Sequence, residues 1–138
     1  MGTEHYQQLE IGSDYRQAQE AEDRVMAKVE AYDYDEEVVF ALRLSLEEAL
    51  SNAIRHGNKE DPSKRVRIRY LVTADRVDLY VEDEGEGFDP SGVADPTAEE
   101  NLENPSGRGI MLMRAYMTQV EYNAVGNGVH LVKLKQAG

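Results

Sequence analysis

The chain contains no cysteine, few basic residues and no long apolar run. Without cysteine it cannot form disulfides, thiolate nucleophiles or zinc sites built on cysteine. Its 15 lysines and arginines face 27 aspartates and glutamates, and the resulting formal charge of -12 disfavours nucleic acid and anionic lipid as partners. No apolar run approaches the roughly 20 residues of a membrane-spanning helix, and the polar N-terminus lacks the pattern of a signal peptide. We therefore expect a cytoplasmic protein without nucleic-acid or membrane partners.

Enough apolar side chain is nevertheless present to form one hydrophobic core. Hydrophobic residues occupy 41% of the 138 positions and charged residues 30%, a balance that is typical of a folded domain. No internal repeat and no linker divides the sequence. We therefore expect a single domain that spans residues 1–138.

Two long helices are predicted in the first half of the chain. Apolar residues recur at helical spacing between Asp14 and Tyr32, and Ser13 or Asp14 can cap the start of this helix. A second helical pattern follows Asp35 and ends near Gly57, a residue type that commonly stops a helix. A third, shorter helix is predicted from about residue 109 to residue 117.

Five segments have the composition or the alternation of β-strands. They are residues 6–11, 66–70, 77–81, 120–125 and 129–134. The second and third segments predict an antiparallel hairpin with Arg67 and Arg69 on its solvent face, and Gly126-Asn127-Gly128 predicts a tight turn between the last two. This order of elements predicts an α+β fold, a two-layer sandwich with a mostly antiparallel mixed sheet and helices on one face.

The predicted second helix carries three polar residues at four-residue spacing, Glu48, Asn52 and His56. Residues with this spacing share one side of a helix, here next to its apolar face. An asparagine oxygen can bind Mg²⁺, which takes oxygen ligands and completes its shell with waters and substrate phosphates. Glu48 would then lie near the same phosphate and could act as a general base. By itself, the pattern also fits a solvated helix surface.

A carboxylate and two glycines follow the predicted strand 77–81. Asp83 has the same parity as the apolar residues of that strand, so we expect its side chain on the buried face. A buried carboxylate is costly without hydrogen-bond donors, and a ligand amino group can supply one. Gly85 and Gly87 would let the backbone approach a flat ligand closely. The same residues also fit an ordinary acidic turn.

A long polar loop precedes the third predicted helix. Residues 88–106 contain few apolar side chains, and a loop of this length in a small domain is typically functional, often a lid. Gly107 and Gly109 then open the helix, where exposed N–H groups and the helix dipole favour a phosphate. Arg108 can add a positive charge. A flexible hinge also explains the two glycines.

In this order along the chain, the three clusters resemble the GHKL superfamily of ATP-binding domains, whose fold is the Bergerat, or histidine-kinase-like ATPase, fold. Within it, the chain is most similar to the stand-alone anti-sigma factor serine/threonine protein kinases of bacterial partner-switching systems. The resemblance covers nearly the whole chain and is most specific from Glu48 to Gly57. It implies ATP or ADP and Mg²⁺ as ligands.

The resemblance also implies a role for each cluster residue. Glu48 would be the general base, Asn52 the magnesium ligand, and Asp83 the acceptor for the adenine amino group. Residues 88–106 would form a lid over ATP. The remaining residues would shape the adenine pocket or contact the phosphates: Gly85, Gly87, Ser106, Gly107, Arg108 and Gly109.

The activity implied by the resemblance is ATP-dependent phosphorylation of a small antagonist protein. The kinase would also sequester a sigma factor or a similar client and would form a homodimer. Two other functions stay open. A nucleotide-sensing binding module would change its partner affinity with ATP or ADP and lack significant kinase activity. A histidine-kinase catalytic domain would need a phosphoacceptor from a partner chain.

The acidic composition constrains any site for ATP, which is itself a polyanion. A chain with a formal charge of -12 can hold ATP only where the charge is compensated locally. Mg²⁺ at Asn52, the N–H groups around Gly107–Gly109 and the Arg108 side chain are the available compensators. We therefore expect nucleotide affinity to depend strongly on magnesium.

Overall fold

One antiparallel sheet forms the first layer of the fold. The computed structural model describes residues 6–86 and 107–135. Within these ranges the strands are β1 (Gln7–Gly12), β2 (Arg65–Val72), β3 (Arg76–Glu82), β4 (Gln119–Tyr122) and β5 (Gly128–Leu134). Their order across the sheet is β1-β2-β3-β5-β4, and all four pairings between the described strands are antiparallel.

Three helices form the second layer. They are α1 (Tyr15–Glu30), α2 (Glu36–Asn52) and α3 (Gly107–Tyr116), and α2 continues into one turn of π-helix at Ala53–Gly57. The predicted cap of the first helix is confirmed at Asp14, and Asp35 caps the second. The Asp14 carboxylate accepts hydrogen bonds from the first backbone N–H groups of α1, and the Asp35 carboxylate accepts one from the third residue of α2.

The core lies between the helices and one face of the sheet. Val66 and Ile68 of β2 and Leu79 of β3 are fully buried against the helices, whereas Arg67 and Arg69 point to the other face and are exposed. This alternation confirms the predicted hairpin and the predicted α+β two-layer sandwich. None of the helices in the described ranges is long and apolar enough to cross a membrane.

Several element boundaries differ from the predictions by one to three residues. Helix α3 begins at Gly107, two residues before the predicted start. Strand β4 ends at Tyr122, because the Asn123 side chain accepts hydrogen bonds from the N–H groups of Gly126 and Asn127 and closes a turn there. The predicted lid, residues 88–106, lies outside the described residues, as does Gly87.

Candidate functional site

Glu48 and Asn52 lie one turn apart on α2, and Glu48 lies against the start of α3. Both side chains are half-buried. The backbone of Gly109 lies directly against the Glu48 carboxylate, and a Cβ atom on residue 109 would overlap it. Only glycine therefore allows α3 to approach Glu48 this closely. The packing brings the predicted base and the first turn of α3 together, although 61 residues separate them in the sequence.

The surroundings of Glu48 favour its protonated form. Burial raises the pKa of the Glu48 carboxyl, the neighbouring Glu47 adds to the rise, and Arg55 opposes it. Burial also raises the pKa of the Tyr122 phenol. Arg114 opposes this rise, and Glu48 adds to it. Tyr122 and Arg114 thus share the electrostatic environment of Glu48. No sequence pattern indicated these two residues, because they reach the site from β4 and α3.

Asn52 presents a buried polar atom that lacks a partner. Its side-chain Nδ2 is buried and makes no hydrogen bond to any described residue. An amide also carries an acceptor oxygen, so the group can contact a ligand through either atom. Leaving a buried donor unpaired costs about 1–3 kcal/mol, so Asn52 fits a ligand that accepts a hydrogen bond from Nδ2.

The part of the chain that the structure describes contains no cluster of three or more histidine, aspartate or glutamate side chains that could hold a metal. An ion at Asn52 would therefore depend on oxygen atoms from elsewhere. Mg²⁺ commonly binds with one or two protein ligands and completes its shell with waters and substrate phosphates. The donor set at Asn52 fits that mode of binding.

A π-helical turn, Ala53–Gly57, follows Asn52 directly and contains His56. His56 is half-buried, and burial lowers the pKa of its imidazole, with a further contribution from Arg55. Turns of this kind occur frequently at functional sites. The predicted alignment of His56 with Glu48 and Asn52 stays a prediction.

The π-helical turn places Gly57 directly against Asp83. The backbone of Gly57 lies so close to the Asp83 carboxylate that a Cβ atom on residue 57 would overlap it. Asp83 follows the last residue of β3, and its backbone N–H donates to the carbonyl of Asn127 at 2.9 Å. The predicted burial is partial, because the side chain lies just past the strand end and is half-buried.

The Asp83 carboxylate is short of hydrogen-bond donors. Among the described residues its single donor is the N–H of Gly85, at 2.7 Å from Oδ1. Burial raises the pKa of Asp83 from 3.8 to about 6, the Gly85 hydrogen bond and Lys64 oppose the rise, and Glu82 adds to it. A ligand amino group would supply a further donor, which the described residues do not.

The start of α3 is the last described part of the candidate site. Gly107 begins the helix, and its first turn lies beside Glu48 through Gly109. Such a helix start binds anions well. The Arg108 side chain and Ser106, like Gly87, are outside what the structure describes, and their predicted roles stay predictions.

The family of the chain follows from comparison with known sequences. The family described as "Histidine kinase-like ATPase domain" matches residues 11–133. This chain belongs to the histidine kinase-like ATPase family, as its motifs predicted.

Named relatives narrow the resemblance to anti-sigma kinases, as predicted. The serine-protein kinase RsbW of Bacillus subtilis is 35% identical over 101 residues, which cover 64% of this chain and 58% of RsbW. The serine/threonine-protein kinase BtrW of Bordetella bronchiseptica is 29% identical over 94 residues, covering 67% of this chain and 66% of BtrW. The anti-sigma F factor of Clostridium perfringens (strain SM101) is 32% identical over 99 residues, covering 69% of this chain and 70% of that factor. The chain thus spans a little over half the length of RsbW.

A solved structure supports the fold independently. The crystal structure of RsbU and RsbW domains from Mycobacterium tuberculosis matches 97% of this chain and 34% of its own, with a TM-score of 0.64 and 12% sequence identity. At this identity the match confirms the fold alone, the α+β sandwich of this family.

Proposed function

We propose that this chain is an ATP-dependent serine/threonine protein kinase of the anti-sigma type. It would phosphorylate a small antagonist protein and sequester a sigma factor or a similar client. The observation that carries the proposal is Glu48, a half-buried carboxylate with a raised pKa that lies against the start of α3, with Asn52 one turn further along α2 presenting a buried Nδ2 that lacks a partner among the described residues. Membership of an ATPase family supports ATP as the nucleotide.

The nucleotide would bind between the π-helical turn and α3. Asp83 would accept a hydrogen bond from the adenine amino group, a donor that its carboxylate lacks among the described residues. The proposal also retains Gly85 and Gly87 beside the adenine, the N–H groups of Gly107–Gly109 on the phosphates, and residues 88–106 as the lid. Ser106 and Arg108 would assist at the phosphates.

Asn52 would hold Mg²⁺ through its side-chain oxygen, and the ion would neutralise charge on the phosphates. The protein's own contribution to the chemistry is Glu48. Its carboxylate would take the proton from a serine or threonine hydroxyl as the oxygen bonds to the γ-phosphorus and the bond to the β-phosphate oxygen breaks, releasing ADP. A base with a raised pKa holds the abstracted proton better than an ordinary glutamate does.

The partners belong to the same proposal. The relatives include an anti-sigma F factor and serine-protein kinases. By analogy, this chain would bind a sigma factor or similar client and an antagonist of the anti-anti-sigma type. We also propose that it acts as a homodimer in the cytoplasm.

Phosphorylation of the antagonist tests the proposal. Glu48→Gln should lower the rate of phosphate transfer from labelled ATP by about 10²–10⁴-fold, because it removes a general base. Glu47→Gln is the matched control, since Glu47 is adjacent and exposed, and it should retain most of the activity. Binding of ATP by calorimetry should survive both substitutions.

Two outcomes would overturn the proposal. Equal phosphorylation by the wild type and Glu48→Gln would remove Glu48 from the mechanism. Tight ATP binding with no phosphate on any partner would instead indicate a nucleotide-sensing module, whose partner affinity differs between ATP and ADP.

A further inference from the structure

Asn58 is a fully buried polar residue that no role assigned above uses. Its exposure is 0%, and buried polar or charged residues are few in the described part of the chain: Glu22, Ser45, Asn58 and Asp78. Asn58 follows Gly57 at the end of the π-helical turn, and its backbone N–H donates to the carbonyl of Ala53 at 2.8 Å, which closes that turn.

The side-chain amide of Asn58 joins three separate segments. Its Nδ2 donates to the Ser13 hydroxyl at 3.1 Å and to the Arg65 carbonyl at 3.0 Å. Its Oδ1 accepts from the backbone N–H of Glu84 at 2.8 Å. Both amide hydrogens and the oxygen are therefore used, and the segments before α1, at the start of β2 and after β3 converge on one side chain.

The hydrogen bond from Glu84 to Asn58 lies next to the Asp83 carboxylate, the proposed adenine contact. Glu84 stands between Asp83 and Gly85, and Gly57 immediately precedes Asn58. The opposing walls of this site are the backbone of Gly57 and the segment 83–85, which are in van der Waals contact. One hydrogen bond from Asn58 therefore ties the end of the π-helical turn to the wall that carries Asp83.

We propose that Asn58 is a positioning residue for base recognition: by holding Glu84, it sets the position of the Asp83 carboxylate against Gly57 and so determines the preference for adenine over guanine. Asn58 acts through Asp83 and needs no contact with the nucleotide. The inference rests on the proposed function, in which Asp83 recognises adenine. An amide is required because the site needs two donors and one acceptor, which aspartate, leucine and serine do not supply together.

A purely structural role for Asn58 predicts a different result. Loss of a buried, fully bonded amide lowers stability wherever it lies, but it would change the affinities for ATP and GTP in the same proportion. The ratio of the two affinities therefore separates positioning from stability.

The experiment measures ATP and GTP binding by calorimetry with Mg²⁺ on Asn58→Ala, Asn58→Asp and Ser13→Ala, at a temperature where melting curves show each variant folded. Asn58→Ala should reduce the ATP-to-GTP affinity ratio at least tenfold. Asn58→Asp keeps an acceptor for Glu84 and should restore part of the ratio. Ser13→Ala removes one partner of Asn58 without touching Glu84, so it should lose stability and keep the ratio within about twofold of the wild type.

An unchanged ratio in folded Asn58→Ala would overturn the inference. If Asn58→Ala does not fold, hydrogen exchange of the wild type decides. The Glu84 amide should exchange as slowly as the Asp83 amide, which donates to Asn127, and exchange at the rate of an unprotected amide would overturn the inference.

Asp83→Asn, measured in the same titrations, distinguishes this inference from the proposed function. If Asp83→Asn leaves the ratio unchanged, the proposed adenine contact itself fails. If Asp83→Asn abolishes the preference and Asn58→Ala does not, only the role of Asn58 fails.

Discussion

Two aspartates near opposite ends of β3 have opposite environments. Asp78, on the sheet face away from the helices, is 3% exposed and receives two hydrogen bonds of 2.8 Å from Arg76, and His130 Nε2 lies 2.8 Å from its Oδ1. Burial alone would raise the pKa of Asp78, but the bonds from Arg76 and His130 outweigh it and the pKa is lowered. Asp83 has one described donor, and burial raises its pKa to about 6.

The difference separates a structural carboxylate from a candidate binding carboxylate. Asp78 has its partners within the fold, so it contributes to stability and has little to offer a ligand. Asp83 has unused acceptor capacity among the described residues, at a place where the backbone of Gly57 packs against its carboxylate. A half-buried carboxylate that the fold does not satisfy is a candidate for a site that a ligand satisfies.

The largest effect that we expect is on stability, from Asp78→Ala. The substitution leaves Arg76 and His130 without their partner, and the free energy of unfolding should fall by about 2–3 kcal/mol, the lower end for a broken buried pair because Arg76 is partly exposed. Urea unfolding measures the loss, and Asp75→Ala, an exposed residue of the same hairpin, should change stability by less than about 0.5 kcal/mol. ATP affinity of the folded variant should stay at the wild-type value; a large loss would show that Asp78 also serves the site.

A smaller effect of opposite sign is expected from Asp83→Asn. Removing an ionised carboxylate from its half-buried place should raise the free energy of unfolding at pH 7 by about 1–2 kcal/mol, since the amide oxygen can still accept from Gly85. Affinity for ATP should fall about tenfold or more, the cost of a charge-assisted hydrogen bond. Unfolding curves and ATP titrations on the same preparation give both numbers. If Asp83→Asn is less stable than the wild type and binds ATP with the same affinity, Asp83 is a structural carboxylate and not a binding one.

The smallest effect is a difference in pH dependence between the two aspartates. The folded-state pKa of Asp83 is about 6, above the ordinary 3.8, so the stability of the wild type relative to Asp83→Asn should decrease as the pH rises from about 4 to 6. The folded-state pKa of Asp78 is lowered. Its contribution should be present above pH 3.8 and be lost as the pH falls through its folded-state pKa.

Urea unfolding of the wild type, Asp78→Asn and Asp83→Asn between pH 3 and 7 tests these slopes. If stability depends on pH in the same way for both variants, the folded-state pKa values of Asp78 and Asp83 are not shifted in opposite directions.

Much of the fold could be predicted because its signals are local. The Asp14 cap, the helical periodicity of α1 and α2 and the alternation of Val66 and Ile68 with Arg67 each involve neighbours in sequence. The missed features depend on contacts that periodicity does not encode. The π-helical turn and the early end of β4 arise from hydrogen bonds specific to those turns.

The candidate site was predictable in part. Glu48, Asn52 and Asp83 are conspicuous because polar groups next to an apolar pattern require an explanation. Tyr122 and Arg114 carried no such signal, since a tyrosine in a strand and an arginine in a helix are ordinary residues. The buried role of Asn58 was also hidden, because an asparagine at a helix end has a sufficient local explanation as a stop signal.

The sequence by itself determined the helices and strands, the apolar face of each, and the residue types available for chemistry. Only the tertiary structure decided which of the two carboxylates, Asp78 or Asp83, is buried with a full set of hydrogen-bond partners. Asp78 is bound by His130, 52 residues away, and the segment after Asp83 is held by Asn58, 26 residues before Glu84. Burial and the His130 contact come from elements that are distant in sequence, whereas Arg76 and Gly85 donate from two residues away. Together they lower the pKa of Asp78 and raise that of Asp83, which follows the same strand.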